Sequence, residues 1–488
     1  MNALYAELFR AIVPETVLVL SALLVLTFDL VLGRRRTLAE RLNLAVLLGV
    51  AGVLSALALG LRVGPVGTVF GGSFLLDPLA VAVRAGVLVL VLLTLGVVTA
   101  APQTRQPAEY VALILLATVG FLQMAAAQQL LLAFLAVELA SLALYVLAGY
   151  DKTRPESAEA ALKYFLVGAV SAAFLLFGFS LIYGLTGSIQ FGKIAHTLGY
   201  QAMSPLLAVA LVMVLVAFGF KAAAAPFHLW APDAYQGAPT PSAALIASAS
   251  KLAGFALFWR LLWSGLGPVA GQFTTQPGTP GWLAIVALLS AASMLLGNFA
   301  ALAQSNVRRL LAYSAIAHAG ALLLGLLSAG HSGPGPLFYY AATYGVATAG
   351  AFGVLAVMER HGRSQELSDL AGLYRRSPLL AGSLLIFVLS LAGIPPLAGF
   401  FGKFAVFAAA LQMGGVASPA GWLALLAIAL SAVALYYYLL ILKQALVAAP
   451  AADAAPIVVP RLAALTLFVA AALIILLGLF PSALLDRL

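Results

Sequence analysis

Fourteen stretches of roughly 20 apolar residues each recur along this chain, separated by polar or Gly/Pro breaks and centred near residues 22, 50, 87, 117, 139, 172, 218, 252, 292, 318, 347, 395, 432 and 471. A helix rises about 1.5 Å per residue, so each stretch matches the roughly 30 Å of a bilayer's hydrocarbon. Inside lipid the backbone must satisfy its own hydrogen bonds, so apolar stretches of this length are helices. The chain is therefore expected to be an all-α membrane protein. Composition agrees: 64% of the 488 residues are hydrophobic and 8% are charged, whereas a soluble domain carries roughly a quarter charged residues. The formal net charge of +9 does not mark a nucleic-acid surface, because the cations lie in short loops between apolar stretches. With no cysteine, this chain can hold no disulfide, thiolate metal site or iron–sulfur cluster, so any redox chemistry lies elsewhere. The first stretch lacks a basic leader and a small-residue cleavage site, and reads as a retained anchor.

Alternate loops divide the cations unevenly. Loops after odd-numbered spans hold Arg34, Arg35, Arg36, Arg41, Arg105, Lys152, Arg154, Arg308, Arg309, Arg360, Arg363, Arg375, Arg376, Lys443 and Arg461, against Arg10, Arg62, Lys193 and Arg487 on the other side. Retention of cations on the cytoplasmic face then places both termini outside, with an even number of spans.

Spans seven and twelve carry helix breakers at mid-membrane, in KAAAAPFHLWAP around Pro226 and LAGIPPLAGFFGK around Pro395 and Pro396. A break frees backbone groups that lipid cannot satisfy, so it survives only against protein or a wetted cavity. The two breaks lie five spans apart, and an odd repeat length makes the second copy cross the bilayer in the opposite sense. The expected organisation is residues 1–105 as helices 1–3, 106–265 as a first five-helix repeat, 280–445 as a second, inverted five-helix repeat, and 446–488 as helix 14.

Few charges remain within the spans: Glu138 in span five, Lys163 near the inner end of span six, Lys221 before the first break, Lys251 in span eight and Lys403 after the second break. Each charge near the bilayer centre costs about 2.5–3.5 kcal/mol on insertion scales, so it must face partners or water. Burial lowers a lysine's proton affinity and a nearby carboxylate restores it, so a Glu/Lys pair of variable separation can load and release a proton. His228, seven residues after Lys221, would share a face with it if the broken helix kept register, as a relay toward Lys251. The competing reading of these charges is a set of static ion pairs, and for Lys163, close to a membrane face, a snorkelling surface residue. Arg84 and Arg260 read as snorkelling anchors, and His196, His331 and His361 as loop residues. His318, beside Tyr313 and Ser314, is either a further relay or an interhelical hydrogen-bonder. Ser141, Tyr145, Ser171, Tyr235, Ser248, Ser250 and Tyr344 read first as packing contacts between helices and second as groups that order water between the titrating residues. No phosphate-binding loop, dinucleotide fingerprint or metal-ligand cluster is present, so no cofactor is expected on this chain.

Three segments, KAAAAPFHLWAPDAYQGAPTP at 221–241, NVRRLLAYSAIAHAG at 306–320 and GIPPLAGFFGKF at 393–404, resemble the antiporter-like membrane subunits of bacterial respiratory complex I. YQGAP after the PFHLW core, and Lys251 in ASASKLAG where sister subunits usually carry histidine, narrow the resemblance within that group. It covers about residues 70–445. It implies fourteen helices with two inverted five-helix units, each contributing a half-channel. It places Glu138, Lys221, Lys251 and Lys403 on the family's proton path, with Lys163 auxiliary to it and His228 at the family's PFH position. It further implies partner subunits that carry NADH, FMN, iron–sulfur clusters and quinone, and sister antiporter-like subunits alongside. The expected function is proton translocation coupled to NADH:quinone oxidoreduction elsewhere in the assembly. Two alternatives stay open on the residues alone: a subunit of a multi-subunit Na+/H+ antiporter, marked by sodium flux without NADH, and a structural membrane scaffold.

Overall fold

The computed structural model describes residues 8–33, 36–102, 104–272, 281–362, 365–450 and 455–488. Arg34, Arg35 and Arg363, and residues 273–279 of the expected 266–279 boundary between the repeats, lie outside the described residues. The chain is a bundle of helices: α1 Val13–Leu32, α2 Leu38–Val63, α3 Pro78–Ala100, α4 Pro107–Ala126, α5 Leu130–Ala148, α6 Pro155–Thr186, α7 Phe191–Leu198, α8 Pro205–Ala222, α9 Trp230–Gly237, α10 Thr240–Ala247 and α11 Ala249–Trp259. The second half continues with α12 Trp282–Leu302, α13 Val307–Ser332, α14 Gly335–Arg360, α15 Leu373–Arg376, α16 Pro378–Ala392, α17 Ala398–Gln412, α18 Pro419–Leu446, α19 Arg461–Leu479 and α20 Ser482–Leu485. Thirteen described spans are long and apolar enough to cross a membrane, and α16 with α17 in series makes the fourteenth. Many open on proline in the first turn, where the missing N–H costs no hydrogen bond.

Both breaks fall where the sequence places them, and both end the first half-helix by the same device. Ala223 and Gly393 adopt left-handed backbone, with φ of 56° and 86°. Ala224 N–H then donates to Gly219 O at 2.8 Å, and Ile394 N–H to Leu389 O at 3.0 Å. This six-residue closure satisfies carbonyls that a severed helix would leave bare. The chain resumes as α9 and α17 after Pro226 and after Pro395 and Pro396.

Span eight departs from the expectation of one continuous helix. It bends at Ser248 (φ −113°, ψ −85°) between α10 and α11, then ends in a π-turn over Arg260–Gly265. Ser248 Oγ donates to Ala244 O at 2.6 Å, the back-bonding that favours a helix bend. No proline or glycine marks this bend in the sequence. A short antiparallel hairpin, β1 Gly67–Val69 with β2 Phe74–Leu76, is a second feature that the all-helical reading left out.

Loop pairing follows the expected alternation of crossings. Phe74 bridges Ala127 and Gln129 bridges Gln190, which joins three even-numbered loops, while Asn306 bridges Glu366 between two odd-numbered ones. In the most apolar window of span eight, α13 and α14, 94% of residues are buried, against 33% for α1, α2, α6 and α19. The core of the bundle is therefore built from those three spans.

Burial corrects the reading of several charged residues. Arg84 does not snorkel: it is buried, pairs with Glu15 and donates to Ala11 O at 3.3 Å. Arg260 is buried likewise and reaches Asp77 at 2.5 Å and Ala125 O at 2.6 Å. A guanidinium inside the bundle needs several acceptors, and both find them at neighbouring helix ends. Arg308, expected in a loop, is also fully buried and donates to Tyr235 O at 2.8 Å and to Ala238 O. His196 belongs to α7 and His331 to the last turn of α13, while His361 follows α14.

Candidate functional site

The expected acid and its lysine meet where α5, α6 and α8 pack. Glu138 and Ser141 lie one turn apart on α5, and both line a cavity with Lys221 of α8, Tyr145 and Ser171. Lys221 Nζ donates to Ser141 Oγ at 3.2 Å. Glu138 lies within electrostatic reach of Lys221, and no ion pair of 4.0 Å or less joins them among the described residues. Ser141 thus holds the amine one helical turn along α5 from the acid. Glu138 is only partly covered, and its neighbours Leu135, Leu139 and Leu142 are exposed on this face of the bundle.

Lys163 is held apart from that pair. Its Nζ lies 2.6 Å from Asp233 and 2.6 Å from Glu159. Asp233 in turn binds Arg309 at 2.6 Å, so α6, α9 and α13 are tied near one end of the bundle by alternating charge. With its side chain 44% exposed, Lys163 is the least buried of the expected site residues that carry a positive charge.

From Lys221 the row passes to α11. A β-carbon added at Gly254 would lie 3.4 Å from Lys221 Cγ, so the lysine stem runs along this helix. Lys251, three residues earlier, occupies the same helical face one turn away. Its Nζ donates to Ala315 O of α13 at 2.5 Å and sits 5.4 Å from the Tyr344 ring centre. No carboxylate pairs with Lys251 among the described residues; its stabilisation comes from one carbonyl and an aromatic face.

His318 of α13 carries the row onward, and residue spacing alone left this undecided. Its ring lies 4.7 Å from that of Tyr344. Nδ1 meets Tyr340 Oη at 2.6 Å and Nε2 meets Tyr438 Oη at 3.1 Å, with Tyr438 also bonded to Ser314 Oγ. His318 lies within electrostatic reach of both Lys251 and Lys403, and shares a cavity with Lys403 and Tyr340.

Lys403 of α17 closes the row. Its Nζ donates to Ala392 O at 2.9 Å. Ala392 is the last residue of α16, so the ammonium sits where a helix end leaves bare carbonyls and partial negative charge. Gly393 is needed twice over: its φ is left-handed, and an added β-carbon would approach Lys403 Cδ to 2.9 Å.

His228 does not keep the helical register with Lys221 that its spacing suggested, because residues 223–229 are not helical. It is buried, and its Nδ1 has no hydrogen-bond partner. The structure therefore brings Glu138, Lys221, Lys251 and Lys403 into one row, and adds Ser141, Tyr344, His318, Tyr340 and Tyr438 to it. Lys163 stands at the margin. No group of three or more His, Asp or Glu residues able to hold a metal ion occurs among the described residues.

Known proteins share both sequence and fold with this chain. Residues 127–431 match the family described as NADH:quinone oxidoreductase/Mrp antiporter, transmembrane. NADH-quinone oxidoreductase subunit N 2 of Acidobacterium capsulatum is 50% identical, with 98% of each chain covered. NADH-quinone oxidoreductase subunit N 1 of Roseiflexus castenholzii is 40% identical over 86% of this chain and 80% of its own. A chain of respiratory complex I from Thermus thermophilus superposes with a TM-score of 0.80 at 35% identity, covering 97% of this chain and 98% of that one. A chain of the Mrp complex from Dietzia superposes with a TM-score of 0.81 at 21% identity, over 98% and 96% of the two chains, and shares the fold. The chain belongs to the NADH:quinone oxidoreductase/Mrp antiporter transmembrane family.

Proposed function

We propose that this chain is a subunit-N-type membrane subunit of NADH-quinone oxidoreductase, and that its buried row of ionisable groups carries protons across the inner membrane. One observation carries the reading: the row from Glu138 through Lys221, Lys251 and His318 to Lys403 has its centre, Lys251 and His318, on two of the three best-covered spans of the bundle. Stability alone disfavours so many central charges. Electron transfer from NADH to quinone belongs to partner subunits that hold FMN and iron–sulfur clusters. Sister antiporter-like subunits flank this one in the membrane, and both termini lie outside. The five-helix units at 106–265 and 280–445 each supply a half-channel.

In this reading the partly covered Glu138 takes the signal from the adjoining subunit. Strengthening or weakening its attraction for Lys221 loads or unloads that lysine across Ser141. A proton arriving at Lys251 then faces Lys403 through His318. Two uncompensated ammonium groups around one imidazole repel each other, so arrival at one lowers the cost of release from the other. Tyr340 and Tyr438, bonded to opposite ring nitrogens, hold the imidazole in place for transfer. Moving one charge against a membrane potential requires about 2.3 kcal/mol per 100 mV, the scale of a shift of two pKa units or less. His228 and Lys163 are auxiliary: the first as a buried acceptor beside the break, the second as part of the Asp233 charge cluster.

Glu138→Ala and Lys221→Ala, each in the intact complex in native membranes, are expected to lower NADH-driven proton pumping and coupled quinone reduction together. Full coupled activity in both variants would overturn the reading.

A further inference from the structure

A cavity of about 580 Å³ opens at the cation-rich end of the bundle, apart from the row described above. Its walls are the loops around residues 101–106 and 150–154, together with the start of α10. The two loops are fixed to each other. Tyr150 Oη donates to Gln106 O at 2.7 Å, and the Tyr110 and Tyr150 rings meet edge to face with centres 4.8 Å apart. The volume falls in the roughly 300–1,000 Å³ range of small-molecule sites.

Three cations, Arg105, Lys152 and Arg154, and two acids, Asp151 and Glu359, line the cavity. Both acids are already answered. Glu359 accepts from Arg154 at 2.9 Å and from Thr240, and Arg308 Nη1 stands 3.7 Å away. Asp151 Oδ1 accepts the backbone N–H of Thr153 at 3.1 Å and its hydroxyl at 2.6 Å. Arg105 and Lys152 are not answered: neither makes an ion pair or a side-chain hydrogen bond among the described residues. Thr104 Oγ1, next to Arg105 and on the same wall, is buried without a hydrogen-bond partner, and a buried hydroxyl left so is costly. The helices α4 and α6 also begin at this wall, at Pro107 and Pro155, with no side-chain cap, so their positive ends add to the field. Retention of cations accounts for the side of the membrane on which Arg105 and Lys152 lie, and not for their convergence with a buried hydroxyl on one cavity. The unmatched groups are two cations and a donor, and one anion with several acceptor oxygens answers all three.

We propose that this cavity binds a phosphate group, with Arg105 and Lys152 as its cationic partners and the Thr104 hydroxyl donating to one phosphate oxygen. A guanidinium grips two phosphate oxygens at once, and an ammonium meets a third as a point charge. The cavity lies at the level where α3 and α5 end and α4 and α6 begin, the depth at which lipid headgroups meet water. A phospholipid headgroup and a free phosphate compound share the chemistry recognised here. No step of the proton row depends on the site.

The test is chemical footprinting of the intact complex in detergent, depleted of lipid. Acetylation of Lys152 and phenylglyoxal adducts of Arg105 are read by mass spectrometry. Inorganic pyrophosphate and short-chain phosphatidylglycerol are added in separate arms, beside sodium chloride at matched ionic strength. Lys443, exposed at the same end and outside the cavity, is the internal control. Labelling of Lys152 and Arg105 is expected to slow about threefold at about two-thirds occupancy, with Lys443 unchanged. Protection by phosphatidylglycerol alone assigns the site to a headgroup, by pyrophosphate alone to a free phosphate, and by both to the phosphate whatever carries it. Arg105 is exposed and unpaired, so Arg105→Gln should keep the fold and the basal labelling of Lys152 while abolishing its protection. Protection in neither arm, equal protection by sodium chloride, or full protection of Lys152 in Arg105→Gln would overturn the site. Pumping is not the readout, so such a failure leaves the proton reading standing.

Discussion

Lys403 shows how a single residue can be fixed by the end of another helix. Its amine rests on Ala392 O, and the space it occupies exists because position 393 has no side chain. Gly393→Ala should therefore cost about 1 kcal/mol or more in backbone strain and displace the amine. The expected outcome is an assembled complex with reduced coupled quinone reductase activity, measured in membranes beside a blot for subunit content; unchanged activity would mean that the Lys403–Ala392 contact is dispensable. Ser141→Ala removes the acceptor that holds Lys221 and should lower pumping less than Lys221→Ala does, read as quenching of a pH-sensitive dye in vesicles. The charged members of the row were legible in the sequence, because a charge inside an apolar span has few bland explanations. Tyr340 and Tyr438 were not, and Ser141 and His318 stood there between two readings, since their part depends on which face of an all-round apolar helix they occupy. Such helices carry no periodicity from which to read a face.

At the scale of elements, the breaks at 223–229 and 393–397 are one device used twice: a left-handed residue, a six-residue closure and then proline. The prolines made both breaks visible in the sequence. The bend at Ser248, which directly precedes Lys251, was invisible because it is set by side-chain back-bonding and by neighbouring helices. The pairing of Arg84 with Glu15 and of Arg260 with Asp77 was equally hidden, as each joins helices far apart in the chain. The device makes opposite predictions for its two left-handed positions. Ala223 carries a β-carbon at φ 56°, so Ala223→Gly should remove about 1 kcal/mol of strain. The complex should inactivate no faster on heating and keep its activity, whereas Gly393→Ala should do neither; a loss of stability in Ala223→Gly would show that the left-handed turn is not what ends α8.

For the whole molecule, the three most buried spans hold the centre of the row, Lys251, His318 and Tyr344, and the exposed apolar faces of α1, α2, α6 and α19 are left for lipid and neighbouring subunits. The number of spans was legible from length and hydropathy, and the alternation of loops agrees with the bridges that tie even loops to even and odd to odd. The proposed orientation, with the cation-rich loops inside, predicts that Lys152→Cys reacts with an impermeant thiol reagent only in inverted vesicles, and Gly71→Cys only in right-side-out spheroplasts. In the proposed path through the centre of the bundle, Lys251 is the position that no route avoids. The decisive measurement is the number of protons pumped per NADH oxidised by the complex carrying Lys251→Leu, with assembly verified. A fall in that ratio, or parallel loss of pumping and oxidation, is expected; a fully assembled complex that pumps with an unchanged ratio and rate would contradict a proton path through these lysines.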